Sequence, residues 1–358
     1  MSSNANSKLE ICRWLIAVTV LGFLSGTLEA ATATAAELRP VPAAQARARV
    51  VTVQDSAASA AFQPNAAVIR NLVRRGLPAM TRKTNETEAW RSLVSPRDVV
   101  GFKVYSSPGP ASGTRPAVVA ALVESLLAAG HPARQIVIWD RYDTDLRQAG
   151  FFELGARLGV RVRGANEAGY DERQFYESPF IGQLIWGDFE FRRSGGMVGR
   201  KSFVTKLLTS DITKIITVTP LLNHNRAGVT GTLMNLALGS VDNSYRFEVD
   251  ADRLAAAVPE IFAMAPVADH LVLNVVDAIY CQYFGEYKSL LHYSTALNQL
   301  RFSTDPVALD ILSMDELDRQ RTRAGAPLAK KRLELYHNAS LLELGVSELG
   351  NIRVESAP

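Results

Sequence analysis

Residues 98–140 read DVVGFKVYSSPGPASGTRPAVVAALVESLLAAGHPARQIVIWD, and this stretch decides the fold. Val99–Val104 is a short apolar run of the length expected for a buried strand, and Tyr105–Gly113 is a Gly/Pro/Ser loop. Thr114, as an N-cap, and Pro116 open an apolar helix that Gly130 stops. Gln135–Trp139 is a second apolar run, ending on Asp140. Strand, helix, strand at this spacing predicts two parallel strands, because parallel neighbours need a long crossover and parallel sheets are covered on both faces.

The pattern extends in both directions. Lys214–Val218 reads as a strand, Thr219–Val229 as a loop and Thr230–Leu238 as a helix; Leu271–Val276 is another buried-strand run, ending on Asp277. Asn298–Thr304 precedes a helix with Asp305 as its N-cap and Pro306 at its first position, and Asp310 is expected on that helix's polar face. Upstream, residues 49–55 read as a strand and Phe62–Gly76 as a helix ended by Gly76 and Pro78. The expectation is an α/β fold: a mostly parallel sheet flanked by helices, in two closely packed lobes spanning residues 49–335. An inserted or lid-like region, or a small antiparallel piece, covers about 166–199, and residues 336–358 are expected to form a C-terminal tail.

Composition bounds the function. The 358 residues are 47% hydrophobic and 21% charged, an ordinary globular make-up. With 39 basic against 36 acidic side chains, the net charge of +3 is too balanced for a nucleic-acid footprint. Lys8 and Arg13 precede the apolar run Trp14–Leu24, and small residues follow, including Ala31-Thr32-Ala33. That layout predicts a Sec-type signal peptide over residues 1–33, a flexible leader over 34–48, and a periplasmic or secreted protein. The run falls short of the about 20 residues a bilayer span needs, so an N-terminal membrane anchor is the weaker alternative. Cleavage would remove Cys12 and leave Cys281, and one cysteine cannot hold an iron–sulfur cluster, which takes about four thiolates.

In an open parallel sheet, ligands bind beyond the carboxyl ends of the strands. That rule selects Lys103, Asp140, the segment Asn223, His224, Asn225 and Arg226, and Asp277. NHNRAGVTGT, residues 223–232, places a His, an Arg and two Asn before a helix start, where free N–H groups favour a small anionic ligand. Gly228 and Gly231 would let the main chain approach that ligand. His224 can serve as an acid/base, an anion contact or a metal ligand. A divalent metal on Asp140, His224 and Asp277 is the weaker reading, since each Asp could equally cap the turn after its strand. Lys103 could neutralise a substrate anion, or pair with Asp140. No G-x-G-x-x-G, phosphate-loop, G-x-S-x-G or H-E-x-x-H motif occurs.

The runs VVGFKV, IVIWDR, LLTSDITKIITVTPLLNHNRAGVTGTLMNLALG and FSTDPVALD together resemble the domain of unknown function 362 family over roughly residues 95–320. The resemblance implies an α/β fold and, for many members, export and iron–sulfur association, but no general reaction. It also implies lysines where this chain carries Leu222 and Met234, while Lys103, His224, Gly228, Thr230, Gly231 and Asn235 match. Two function classes follow: an exported protein with an anion site and a His224 acid/base, or a non-catalytic binding or assembly protein that has lost the family chemistry.

Overall fold

The computed structural model describes residues 47–178, 201–286, 288–330 and 332–357. The signal segment 1–33, almost all of the leader and most of the 166–199 insertion lie outside the described residues. Gln45–Pro358 forms one compact unit.

The chain begins with strand β1 (Ala48–Gln54), the small hairpin β2 (Ser59–Ala60) and β3 (Gln63–Pro64), and helices α1 (Ala66–Thr81) and α2 (Glu86–Leu93). Strand β4 (Val100–Lys103), helix α3 (Pro116–Ala128) and strand β5 (Ile136–Asp140) are the unit foreseen from residues 98–140. Helices α4 (Asp143–Gln148) and α5 (Phe151–Leu158) lead to β6 (Arg161–Gly164) and α6 (Ala165–Ala168). An antiparallel pair, β7 (Tyr170–Glu177) and β8 (Lys201–Thr205), flanks the undescribed insertion. Then come β9 (Lys214–His224), β10 (Gly228–Val229), and helices α7 (Thr232–Ser240), α8 (Tyr245–Glu248), α9 (Ala251–Phe262) and α10 (Ala265–Ala268). Strands β11 (Leu271–Gln282) and β12 (Ser294–Ser303), helices α11 (Pro306–Arg323) and α12 (Glu334–Leu341), and β13 (Ile352–Ser356) complete the fold.

The main sheet runs in the order β13-β1-β12-β11-β9-β4-β5-β6, with β10 hydrogen-bonded to β9. Pairing is parallel throughout except where β12 meets β1 and β11, and where β10 turns back on β9. Alternation along β4 sends Phe102 into the core under α1, α2 and α3, while Lys103 faces α7. The second core, on that other face, lies under α7, α9, α11 and α12. The two lobes expected from chain length are thus two layers of helices on one continuous sheet.

Three boundaries differ from expectation. Gly76 does not stop α1: a Cβ there would lie 2.3 Å from the ring of Phe302, so the glycine admits that ring inside the helix. Strand β9 runs six residues past Val218 through the expected loop, because Asn223 and His224 pair with Val229 and Gly228 of β10. Residues 336–358 are no tail. Tyr336 and Ala339 are buried against the core, the Tyr336 hydroxyl donates to Ala227 O at 2.8 Å, and β13 adds a parallel edge strand to β1. No helix among the described residues is long and apolar enough to cross a membrane.

Candidate functional site

A cleft of about 240 Å³ opens beyond the carboxyl ends of β4 and β5, between them, the β9–β10 turn and the inner face of α7. It brings together Lys103, Asp140, His224, Arg226 and Asn235, five of the residues selected from sequence. Asp145, Arg141, Glu248, Glu286 and Tyr105 also line it, and sequence inspection missed all five. Asp145 and Arg141 follow β5 directly, so the strand-end rule could have found them.

Lys103 is fully buried, and its ammonium donates to Val104 O at 2.7 Å, Asp140 Oδ1 at 2.7 Å and Asn235 Oδ1 at 2.6 Å. Three protons meet three acceptors, which leaves no donor for a ligand. Burial holds its pKa below the ordinary lysine value, and the Asp140 charge opposes that shift. Asp140 is spent as well: its other oxygen accepts from Ser106 N at 2.7 Å and Ser106 Oγ at 2.6 Å. A Cβ on Gly239 would lie 2.3 Å from Lys103 Cε, so that glycine makes room for the lysine stem. Lys103 therefore holds the floor of the cleft together through the Asp140 pair that was one of its two sequence readings, and has no N–H left for a substrate anion.

His224 is half-buried. Its Nδ1 accepts the Ala227 N–H at 3.0 Å, which requires an unprotonated Nδ1 and places the neutral ring's proton on Nε2. Burial lowers its pKa, Arg226 adds to the effect and Glu286 opposes it. The ring presents an N–H to the cleft, as a donor; accepting a proton there as a base would need the tautomer that the Ala227 N–H excludes. The acid/base role expected of His224 becomes one of hydrogen-bond donation.

Asn235 is 3% exposed, and with its oxygen fixed by Lys103 its amide nitrogen has no partner among the described residues. A buried amide N–H₂ left open costs about 1–3 kcal/mol unless something fills its place. Arg226 is exposed and has no partner among the described residues. Arg141 donates to Glu248 at 3.0 Å, and Glu286 accepts from Asn225 N at 2.7 Å. The Asp145 side chain has no hydrogen-bond partner among the described residues. Burial, then the charges of Asp140 and Glu167, raise its pKa above the ordinary carboxylate value.

The helix start near Gly231 is not an open anion site. Asp310 occupies it, accepting Thr232 N on Oδ1 at 2.7 Å and Leu233 N on Oδ2 at 3.0 Å, and a Cβ on Gly231 would sit 2.2 Å from the Asp310 carboxyl carbon. Asp310 is fully buried, contrary to the polar face expected for it, and burial pushes its pKa to about 7 despite the two N–H donors. Gly228, in the left-handed region at φ 87°, faces Met314 of α11, and Thr230 is buried with its hydroxyl unpartnered. Asn223 and Asn225 bond each other at 2.9 Å, and Asn223 also accepts from Arg321. These five residues build the turn and its support and do not line the cleft.

The metal reading fails at Asp277. That residue lies inside β11, not at its end, and its carboxylate is taken by Arg115 through Nη1 at 2.9 Å and the main-chain N–H at 3.0 Å. No group of three His, Cys, Asp or Glu side chains that could hold a metal occurs among the described residues. Cys281 is buried, and its thiol is pushed up to about 12 by that burial.

Of the two lysines that the resemblance would place here, position 234 faces the cleft as Met234, and position 222 is the fully buried Leu222. No curated protein matches the chain. Among solved structures it is similar to the crystal structure of a protein from Thermotoga maritima, at 12% identity with a TM-score of 0.39. That match covers 74% of this chain and 60% of the other, so the chain spans less than two thirds of that protein's length. The family model described as a domain of unknown function (DUF362) matches residues 102–315, more than half of the chain. The chain belongs to the DUF362 family.

Proposed function

We propose that the cleft binds a small polar molecule, whose oxygen acceptor is recognised by His224 Nε2–H, the Asn235 amide nitrogen and Arg226. The observation that carries this is the buried, unpartnered Asn235 nitrogen beside an open cleft. Its volume of about 240 Å³ falls below the ~300–1,000 Å³ of drug-sized sites, which limits the ligand to a small molecule. Binding without acid/base chemistry is favoured over an enzyme that uses Lys103 and His224, since neither has a free role in proton transfer.

Calorimetric titration of the full chain with a panel of short-chain carboxylates, 2-hydroxy acids and α-amino acids tests this. Saturable binding is expected for at least one of them, weakened by Arg226→Ala and abolished by Met234→Trp, which fills the cleft. Absence of binding across the panel, or binding indifferent to Met234→Trp, would overturn it.

Export belongs to the same proposal, supported by Lys8, Arg13 and the apolar run Trp14–Leu24. N-terminal sequencing of chain recovered outside the cytoplasm should begin after the small residues at 31–35. Recovery only inside the cell, with Met1 retained, would refute it.

A further inference from the structure

The charges on the cleft wall do not suit a simple anion. Lys103, Arg141 and Arg226 are its cations, and Asp140, Asp145, Glu248 and Glu286 its carboxylates. Lys103 and Asp140 cancel at 2.7 Å, and Arg141 and Glu248 at 3.0 Å. The uncompensated remainder is Arg226 against Asp145 and Glu286, and only Glu286 has a hydrogen-bond donor, the Asn225 N–H. Among the described residues, a ligand that carried negative charge alone would meet one cation and two carboxylates that no ion pair neutralises. Beside them stand two neutral donors, the Nε2–H of His224 and the buried, unpartnered amide of Asn235.

We propose that the ligand of this cleft is a small zwitterion, an amino-carboxylate whose ammonium group is held by Asp145 and Glu286 and whose carboxylate meets Arg226, His224 and Asn235. The inference rests on the binding role of the cleft argued above, and it replaces the purely anionic ligand expected from sequence. Both ligand charges then find partners of opposite sign, and the open amide of Asn235 gains an acceptor. Asp145 fits the role because it lines the cleft with no hydrogen-bonded cation among the described residues; burial, then the nearby carboxylates, disfavour its charge, Arg141 opposes that only in part, and an arriving ammonium would favour it.

The test compares free α-amino acids with the 2-hydroxy acids of the same side chain, by calorimetry on the full chain, in the wild type and in Asp145→Asn and Glu286→Gln. An ammonium exchanged for a hydroxyl removes a charge-assisted bond, so an amino acid should bind about tenfold to a hundredfold more tightly than its hydroxy acid. Asp145→Asn should erase most of that preference while leaving hydroxy-acid affinity within about threefold. Glu286→Gln should reduce it by less, since the Asn225 N–H already shares that carboxylate. Equal affinity for the two classes, or a preference that survives both variants, would overturn the zwitterion and leave the binding role intact. Binding of either class that Met234→Trp does not block would overturn the binding role as well.

Discussion

Four residues apart on one helix, the start of α7 and its first full turn have opposite fates. At Thr232 and Leu233 the free N–H groups are met by both oxygens of Asp310, and Gly231 is bare because the carboxylate occupies the space of a side chain. At Asn235 the amide oxygen is met by Lys103 and the nitrogen by no described residue. Both places are polar, buried and built from family-matching residues. They differ in completeness: the helix start supplies its own anion, and the turn beyond it leaves a donor open to a cleft. A helix N-terminus predicts affinity for an anion, but not whether the chain already provides one.

The largest expected effect comes from removing the cation that joins the two regions. Lys103→Met should cost about 3–5 kcal/mol in urea denaturation, because Asp140, Asn235 Oδ1 and Val104 O would each lose a donor in a dry site. A loss below about 1 kcal/mol would mean that Lys103 is not the pin of the cleft floor.

Next in size is the closed helix start. Gly231→Ala should cost about 1–3 kcal/mol through its overlap with Asp310. Combined with Asp310→Ala it should cost less than the sum of the two single changes, because truncating the carboxylate removes the clash. Strict additivity would separate the two residues and undo the closed half of the comparison.

The proton on Asp310 gives a pH-dependent effect. Its folded pKa of about 7 stands above the ordinary 3.8. The stabilisation it contributes is therefore fully present below pH 3.8 and is lost as pH rises through about 7. Asp310→Asn removes that dependence. Wild-type stability relative to the variant should fall between about pH 4 and pH 7, and a difference that is flat or rises over that range would contradict a carboxyl held by burial.

Much of the fold was legible because it is local. The 98–140 unit, the cap at Asp305 and the buried runs of β9 and β11 each carry their signal within a few residues. The antiparallel insertion of β12 between β1 and β11, and the edge strand β13, were not: strand order is long-range, and IRVES is short and half polar, as edge strands are. The site divides the same way. The strand-end rule found Lys103, Asp140 and His224, but it could not show that Lys103 is bonded to Asn235, 132 positions away, or that Asp310 reaches Thr232 across 78. Those partners determine which groups are spent and which are free, and spacing along the chain carries no trace of them.

The smallest effect tests the open side of the comparison most directly. His224 has a folded pKa below the ordinary 6.5, so the unfolded chain takes up its proton first. Its contribution to stability is present above pH 6.5 and is lost as pH falls through the folded value. Removal of the ring in His224→Gln should therefore flatten the acid side of the stability profile by no more than about 1 kcal/mol between pH 7 and pH 5. The proton's position is the sharper measurement. In ¹⁵N-labelled protein the ring should show the Nε2–H form at neutral pH, with Nδ1 bonded to the Ala227 N–H, and should resist protonation below pH 6.5. A ring protonated on Nδ1, or titrating at or above 6.5, would restore His224 as a proton acceptor. It would also remove the neutral donor wall on which recognition of a carboxylate depends.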